Sequence, residues 1–229
     1  VIGVGIAVDV PDDLRAVGQL APAQQHRLET VSGRRRYEPG QMLYTGPEHC
    51  LGLLVVIRGQ LRVFTQSEEG REITLYRLFE RDMCLFSASC ILRGVSFSLR
   101  IEAQEVTEVL HIPSDEYQRL MQENPAAANY TNEVMATRFS DVMWLLEQTL
   151  YKKMDARLAA FLVEEGRLLD SVVLPLTHDA IARHLGSARE VITRLLKYFQ
   201  DEGLVRLSRG AVELAAPDQL AALAAGCLR

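Results

Sequence analysis

Leu176-Thr177-His178-Asp179-Ala180-Ile181-Ala182-Arg183-His184-Leu185-Gly186-Ser187-Ala188-Arg189-Glu190-Val191-Ile192-Thr193-Arg194-Leu195-Leu196-Lys197-Tyr198-Phe199 is the stretch on which the fold of this chain turns. Two helix starts flank a tight turn at Leu185-Gly186-Ser187, and a short two-stranded wing follows. Thr177 and Ser187 are each placed to cap a helix, because a hydroxyl there accepts from the orphan amides of the first turn. Ser187 with Glu190 three positions on also fits a capping box. At 100° per residue from Arg189, Thr193 lies at about 40°, Lys197 at about 80°, Glu190 at about 100° and Arg194 at about 140°. Leu195, Phe199, Ile192 and Leu196 fall on the other side, between about 240° and 340°. One arc buries and the other offers donors and acceptors. That is the pattern of a helix-turn-helix whose second helix enters the major groove.

The chemistry of the polar arc fits base edges. An arginine takes guanine O6 and N7 with two parallel hydrogen bonds, and a carboxylate accepts from cytosine N4. Arg189, Glu190 and Arg194 supply those groups, while Thr193 is small enough to meet a thymine methyl or a phosphate. Thr177, His178, Ser187 and Lys197 join them as expected DNA contacts, with His178 and His184 read as phosphate partners. The wing is Leu204-Val205-Arg206-Leu207, a Ser208-Arg209-Gly210 turn, then Ala211-Val212-Glu213-Leu214. Gly203 stands where a helix end favours positive φ. Arg209 at the wing tip is placed for a phosphate contact that positions without specifying.

Charge supports a local reader on an otherwise acidic protein. The 229 residues carry a net charge of −5, which argues against a uniformly basic nucleic-acid coat. Residues 176–210 instead hold six basic and four acidic side chains, a local net of +2. The apolar content of 48% allows two well-formed cores. Four cysteines without paired spacing, and no signal-peptide pattern, point to a reducing cytoplasmic setting. The apolar opening, Val1 to Val10, is too short to span a bilayer and lacks a positive flank, so no membrane partner is expected. An arm, an edge strand and a leader are all open readings of it.

Upstream of the helix-turn-helix the texture changes twice. Residues 14–32 read as a short entry helix through Leu14, Val17, Leu20, Leu28 and Val31. From Arg36 to Ile112 short β-type runs, among them Leu53–Ile57, Gln60–Phe64, Ile73–Tyr76 and Thr107–Ile112, are broken by turn residues. That spacing predicts an antiparallel barrel or sandwich. Arg34-Arg35-Arg36 reads as a solvated turn, with RNA polymerase contact as the alternative.

After Asn124-Pro125 the β texture stops and residues 126–151 form one helical pattern, about 40 Å long. Met135, Phe139, Val142, Leu146 and Thr149 recur at intervals of 4, 3, 4 and 3, a heptad seam that calls for a partner helix. The simplest partner is a second copy about a two-fold axis, with Val134, Met143, Leu145 and Leu150 left to pack on the helix's own domain. Such a dimer offers two reading helices to successive major grooves roughly 34 Å apart, on a near-palindromic site. Asp155 to Leu169 reads as a further helix joining this one to the DNA-reading half.

This order resembles the Crp–Fnr family of bacterial transcription regulators, from about residue 14 to 225. The residues that carry the resemblance are Arg58-Gly59, Asn124-Pro125, Arg157-Leu158-Ala159, Thr177-His178-Asp179-Ala180-Ile181-Ala182, Leu185-Gly186 and Arg189-Glu190-Val191-Ile192-Thr193-Arg194. It implies an α+β chain: an antiparallel β-roll of the cyclic-nucleotide-binding jelly-roll type over 14–125, a dimerisation helix over 126–152, and a winged helix-turn-helix over 153–229. It further implies base-edge roles for Arg189, Glu190 and Arg194, a half-site like TGTGA or TTGA, and RNA polymerase as a partner if the protein activates. In the cyclic-nucleotide members an arginine pairs with the phosphate and a Gly-Glu pair serves the ribose. Counting back from Asn124-Pro125, Phe97 stands at the arginine position and Phe86-Ser87 near the Gly-Glu pair. Losing that arginine removes the charge-assisted pairing a cyclic phosphate needs, so the expected signal is not a nucleotide. The iron–sulfur members carry clustered N-terminal cysteines, whereas the first cysteine here is Cys50.

The cofactor is therefore unknown from sequence. Cys84 and Cys90, with Ser87, Ser89, Phe97 and Cys50 around them, are the effector candidates. The bland alternative is that these cysteines are small buried apolar residues; a thiol or metal(loid) sensor and a haem ligand are the others. A disulfide between Cys84 and Cys90 needs Cα atoms within about 7 Å, hence a sharp turn through Ser87-Ala88-Ser89. His49 beside Cys50 could ligate haem or metal, but neighbours on a strand face opposite ways. No metal-ligand spacing or phosphate loop appears, and no histidine has a context that pairs it with a thiol. A thiol enzyme is thus the weakest competitor, behind a ligand-independent DNA-binding repressor that uses the β-roll as scaffold.

Overall fold

The computed structural model describes residues 20–44, 51–85 and 98–228. The described residues fall into two compact units, one from residues up to Thr65 and from Leu75–Asp141, the other from Gln66–Thr74 and from Val142 onward. Among them no helix is long and apolar enough to cross a membrane.

Strands β1 (Gly33–Tyr37), β2 (Met42–Tyr44), β3 (Leu53–Arg58), β4 (Leu61–Gln66), β5 (Glu72–Leu78), β6 (Met83–Cys84), β7 (Leu99–Ala103) and β8 (Thr107–Ile112) build two four-stranded sheets, which lie in the first unit except for Gln66 and the first residues of β5, up to Thr74, which belong to the second. Their orders are β1-β8-β3-β6 and β2-β7-β4-β5. The pairings of β8 with β1 and β3, of β3 with β6, and of β7 with β2 and β4 are antiparallel. Strand β3 shows why its apolar run is unbroken. Leu54 and Val56 enter the core between the sheets with Leu61, Val63, Ile101 and Val109. Leu53 and Val55 point the other way, into a second core with Leu28, Leu110, Ile112, Tyr117 and Leu120. Burial on both faces removes the apolar–polar alternation of a half-exposed strand.

Helices α1 (Pro22–Val31), α2 (Ser114–Glu123) and the start of α3 (Pro125–Tyr151) cover that second core. The hydroxyls of Tyr117 and Thr131 meet at 2.7 Å and tie α2 to α3. Asn124-Pro125 marks the start of α3: the Asn124 side-chain oxygen accepts from the Ala126 amide at 3.0 Å, and proline suits a first turn that has no partner for its N–H.

Two sequence expectations need correction here. The entry helix begins at Pro22, so Leu20 precedes it, and residues 14–19 lie outside the described residues. Arg34-Arg35-Arg36 is not a turn but the centre of β1, opposite Leu110, Val109 and Glu108 of β8. The three arginines are exposed on a strand at the end of its sheet, where charge discourages further pairing.

The second unit contains α4 (Met154–Leu168), β9 (Val173–Leu174), α5 (His178–Leu185), α6 (Arg189–Asp201), β10 (Val205–Ser208), β11 (Ala211–Leu214) and α7 (Pro217–Leu223). Strands β10, β11 and β9 form a small antiparallel sheet in that order, the last of them a strand with no sequence forecast. Leu158, Leu162, Ile181, Leu185, Ile192, Leu196, Phe199 and Val212 share one core.

Gly59 holds the turn between β3 and β4 at φ +97°, and a Cβ there would sit 2.7 Å from the Val106 carbonyl oxygen and 2.8 Å from Thr107 Cα. Gly59→Ala is expected to destabilise the first unit by about 1–3 kcal/mol, from forced positive φ plus that collision. Thermal or urea unfolding followed by circular dichroism measures it.

Candidate nucleic-acid interface

The reading helix is positioned from beneath. Ile192, Leu196 and Phe199 of α6 are fully buried, which turns the opposite side outward. Arg189, Glu190, Arg194 and Lys197 are exposed on that side, and Thr193 is half-buried among them. The turn before α6 is held from two directions. Gly186 closes α5 at φ 68°, ψ 33°, and its amide bonds the Ala182 carbonyl. Arg157 of α4, itself buried, donates from a guanidinium nitrogen to the Leu185 carbonyl at 2.9 Å. Burial pulls the Arg157 pKa below its ordinary value.

Thr177 caps α5 as its position predicts, accepting from the Ala180 amide at 3.1 Å. Ser187 does not cap α6. The residue at that cap is Ala188, with no side-chain cap bond, so the proposed capping box with Glu190 is absent. Ser187 is taken up by the end of the preceding helix, since its amide also bonds the Ala182 carbonyl, at 3.0 Å. Glu190 is thereby released from capping and stands exposed in the first turn.

His178 and His184 divide. His178 Nδ1 lies 2.9 Å from Thr193 Oγ1, bridging α5 and α6. Burial, then the nearby Arg189 charge, lowers the His178 pKa from its ordinary value and favours the neutral ring. His184 instead faces inward: its Nδ1 is 2.9 Å from Thr74 Oγ1 and its ring stacks at a tilt on Phe161, 5.3 Å between centroids. Those contacts give His184 a packing role that the sequence reading did not assign.

Two hollows border the face. One is lined by Thr177, His178, Asp179, Arg189 and the wing residues Ser208 and Gly210. The other runs along α6 past Glu190, Thr193, Arg194, Lys197, Tyr198 and Asp201. Arg209 is exposed in the turn between β10 and β11, beside Gly210 at φ +76°. Tyr198, which lines the second hollow, was not among the expected DNA contacts. Tyr198 lies at about 180° from Arg189, next to Arg194, so angle alone places it at the border of the polar arc. Its neighbour Phe199, which is core, masks that signal in the linear sequence.

The heptad seam also shifts. Met135 packs against the β-roll cores and, like Val134, is only half-buried there. The exposed apolar stripe of α3 is Phe139 (68%), Met143 (45%), Leu146 (47%) and Leu150 (62%). These recur at 4, 3 and 4, a seam turned by roughly 50° from the expected one. Val142 is half-buried at its edge, and Thr149 is exposed with its hydroxyl donated to the Leu145 carbonyl. Met143 and Leu150 thus face outward instead of packing inward.

Of the effector candidates, Cys84 is described: it is buried opposite Leu54, between the sheets. Cys50, Ser87, Ser89, Cys90 and Phe97 lie outside the described residues, as do His49 and Phe86. Among the described residues no three His, Cys, Asp or Glu side chains gather as a metal site.

Comparison with known proteins gives the same two halves. Residues 34–124 match the cyclic nucleotide-binding domain model, and residues 156–223 match the Crp-like helix-turn-helix domain model. The Cyclic AMP receptor protein of Thermus thermophilus is 27% identical over 195 residues, 85% of this chain and 89% of that one. The transcriptional activator Anr of Pseudomonas protegens is 27% identical over 206 residues, 86% of this chain and 83% of its own. A crystal structure from Eubacterium rectale, of a protein assigned to the crp/fnr family of transcriptional regulators, is 49% identical. It covers 90% of this chain and 95% of its own, with a TM-score of 0.87.

Arg189→Ala is expected to cost about 1–3 kcal/mol in operator binding and to relax preference at one base pair of each half-site. Titration of selected duplexes against a base-substituted panel measures both. Equal binding by variant and parent contradicts a base-reading role.

Proposed function

The chain belongs to the Crp–Fnr family of DNA-binding transcription regulators, and from that footing we propose that it works as a homodimer on a near-palindromic operator, switched by a signal other than a cyclic nucleotide. The observation that carries the DNA reading is the division of α6, with Ile192, Leu196 and Phe199 buried and Arg189, Glu190, Arg194 and Lys197 exposed. Arg189, Glu190, Thr193 and Arg194 read base edges; Lys197 meets phosphate. At the wing side, Thr177, His178 and Arg209 approach the phosphates. RNA polymerase is a partner if the regulator activates, and no step of this activity asks for catalysis.

The second copy is argued from the stripe of α3. A helix in water does not hold Phe139, Met143, Leu146 and Leu150 exposed at heptad spacing without cost, and a two-fold copy covers the stripe with itself. Dimerisation then joins two weak half-site contacts into one strong one through effective concentration.

The non-nucleotide signal is argued from sequence position. Phe97 stands where the resemblance places the phosphate-binding arginine, and an aromatic ring offers a cyclic phosphate neither charge nor hydrogen bonds. Cys84 suits the core role better than a direct thiol sensor, because its burial keeps solvent oxidants away. Haem, a thiol reagent or a small molecule at the β-roll are the signals left to test.

Phe139→Glu with Leu146→Glu is expected to give monomers that lose tight operator binding yet keep the melting behaviour of each unit. Light scattering and operator titration check this; dimers of full affinity contradict the seam. Cyclic AMP added in large excess is expected to leave operator affinity unchanged, measured by fluorescence anisotropy. A clear rise overturns the non-nucleotide reading.

A further inference from the structure

The threonines inside the helices separate into two groups. Thr30, Thr131, Thr137 and Thr149 each donate a hydroxyl proton to the carbonyl four residues back, at 2.7 to 3.0 Å. That back-bond is one of two χ1 states open to a helical threonine. Thr193 departs from the pattern: its Oγ1 meets His178 Nδ1 at 2.9 Å. His178 is the first residue of α5 and Thr193 lies in the second turn of α6, so the bond crosses from one helix of the motif to the other. Thr193 borders the hollow of the reading face, and His178 borders the hollow beside the wing. His178 Nε2 meets no hydrogen-bond partner among the described residues.

We infer that His178 is a positioning residue for base recognition: it draws the Thr193 hydroxyl off its own helix and sets the hydrogen-bond polarity that Thr193 presents to the DNA. A neutral imidazole has one N–H and one bare nitrogen. When Nε2–H donates to a backbone phosphate, Nδ1 is left to accept, and the Thr193 proton goes to it. The Thr193 oxygen then faces the groove as an acceptor only. Such a group selects a base edge that offers a donor, adenine N6 or cytosine N4, and rejects one that offers only acceptors. Docking on the backbone thereby fixes what one base-reading side chain can read. Without the histidine, the Thr193 hydroxyl returns to the Arg189 carbonyl, and its γ-methyl turns relative to the groove.

This inference rests on the DNA-reading face proposed above, and the test separates the two. The full-length protein first selects an operator from a randomised duplex pool. Relative affinities are then measured for duplexes in which each half-site base pair is replaced in turn, and each variant's melting temperature confirms folding. The selected half-site is expected to hold adenine or cytosine opposite Thr193, and Thr193→Val to lose roughly fivefold in discrimination at that base pair, the fold-change of one ordinary hydrogen bond. His178→Ala is expected to lose discrimination at the same base pair, and the double variant to lose no more than either single one. His178→Asn, whose side-chain oxygen can accept near the place of Nδ1, is expected to recover most of it. Discrimination at the other base pairs stays with Arg189, Glu190 and Arg194. If His178→Ala weakens every duplex by one common factor, the histidine is a phosphate contact or a structural residue, and the inference is overturned. It is also overturned if Thr193→Val leaves all preferences intact while Arg189→Ala changes one. Should Arg189→Ala change none either, the reading face itself fails, and the inference with it.

Discussion

The burial of Ile192, Leu196 and Phe199 against Leu158, Leu162 and Ile181 is the packing on which the rest of the DNA-reading half depends. Three large side chains at helical spacing, fully removed from water, contribute about 1.5–3 kcal/mol each and permit one rotation of α6 about its axis. That rotation places Arg189, Glu190 and Arg194 in solvent together. The Leu185 carbonyl, orphaned at the end of α5, is taken by Arg157, so the turn between the helices is fixed by a charged hydrogen bond from a third helix. Gly186 at positive φ supplies the change of direction, and the Ile73 side chain lies within 3.0 Å of where a Cβ would stand. Position, rotation and turn are therefore settled by apolar packing and backbone satisfaction before any DNA arrives.

Much of this was legible in the sequence because its causes are local. The 3.6-residue period of α6 separates its two arcs, and the buried set is the apolar arc read from spacing, with Leu195 half-buried at its edge. Thr177 as a cap and Gly203 at φ +74° follow from residue type and place. The errors came where a second element decides. Ser187 and Glu190 make a plausible capping box in isolation, yet the Ala182 carbonyl claims the Ser187 amide for the helix before. Met135 and Met143 both fit a heptad with Phe139 and Leu146. Met135 also packs against the β-roll, a contact no helix-wheel argument contains. Arg34-Arg35-Arg36 is a poor strand by composition, and pairing with β8 from far along the chain overrides that.

The two halves of the molecule differ in how far their chemistry can be read. The DNA-facing half has its exposed residues on one helix and one wing, so side-chain type leads directly to partner. In the β-roll, Leu54, Val63, Ile101, Val109 and Cys84 fill the space between the sheets with apolar groups and one thiol. That core explains stability and says little of a signal. The sequence candidates for an effector, Ser87, Ser89 and Phe97, lie outside the described residues. The output side is thus specified by a packing arrangement that the sequence pattern already announces.

Spacing is the property that would join the reading helix to the heptad stripe in the proposed dimer, because two copies of α6 held by one pair of α3 helices would meet only grooves a fixed distance apart. The most direct measurement is operator affinity as a function of the distance between half-sites, with base pairs inserted one at a time at the centre. The account predicts a sharp maximum with half-sites about one helical turn apart, and a steep loss when half a turn is added. Affinity that does not depend on the spacing, or that equals the affinity for a single half-site, would contradict it.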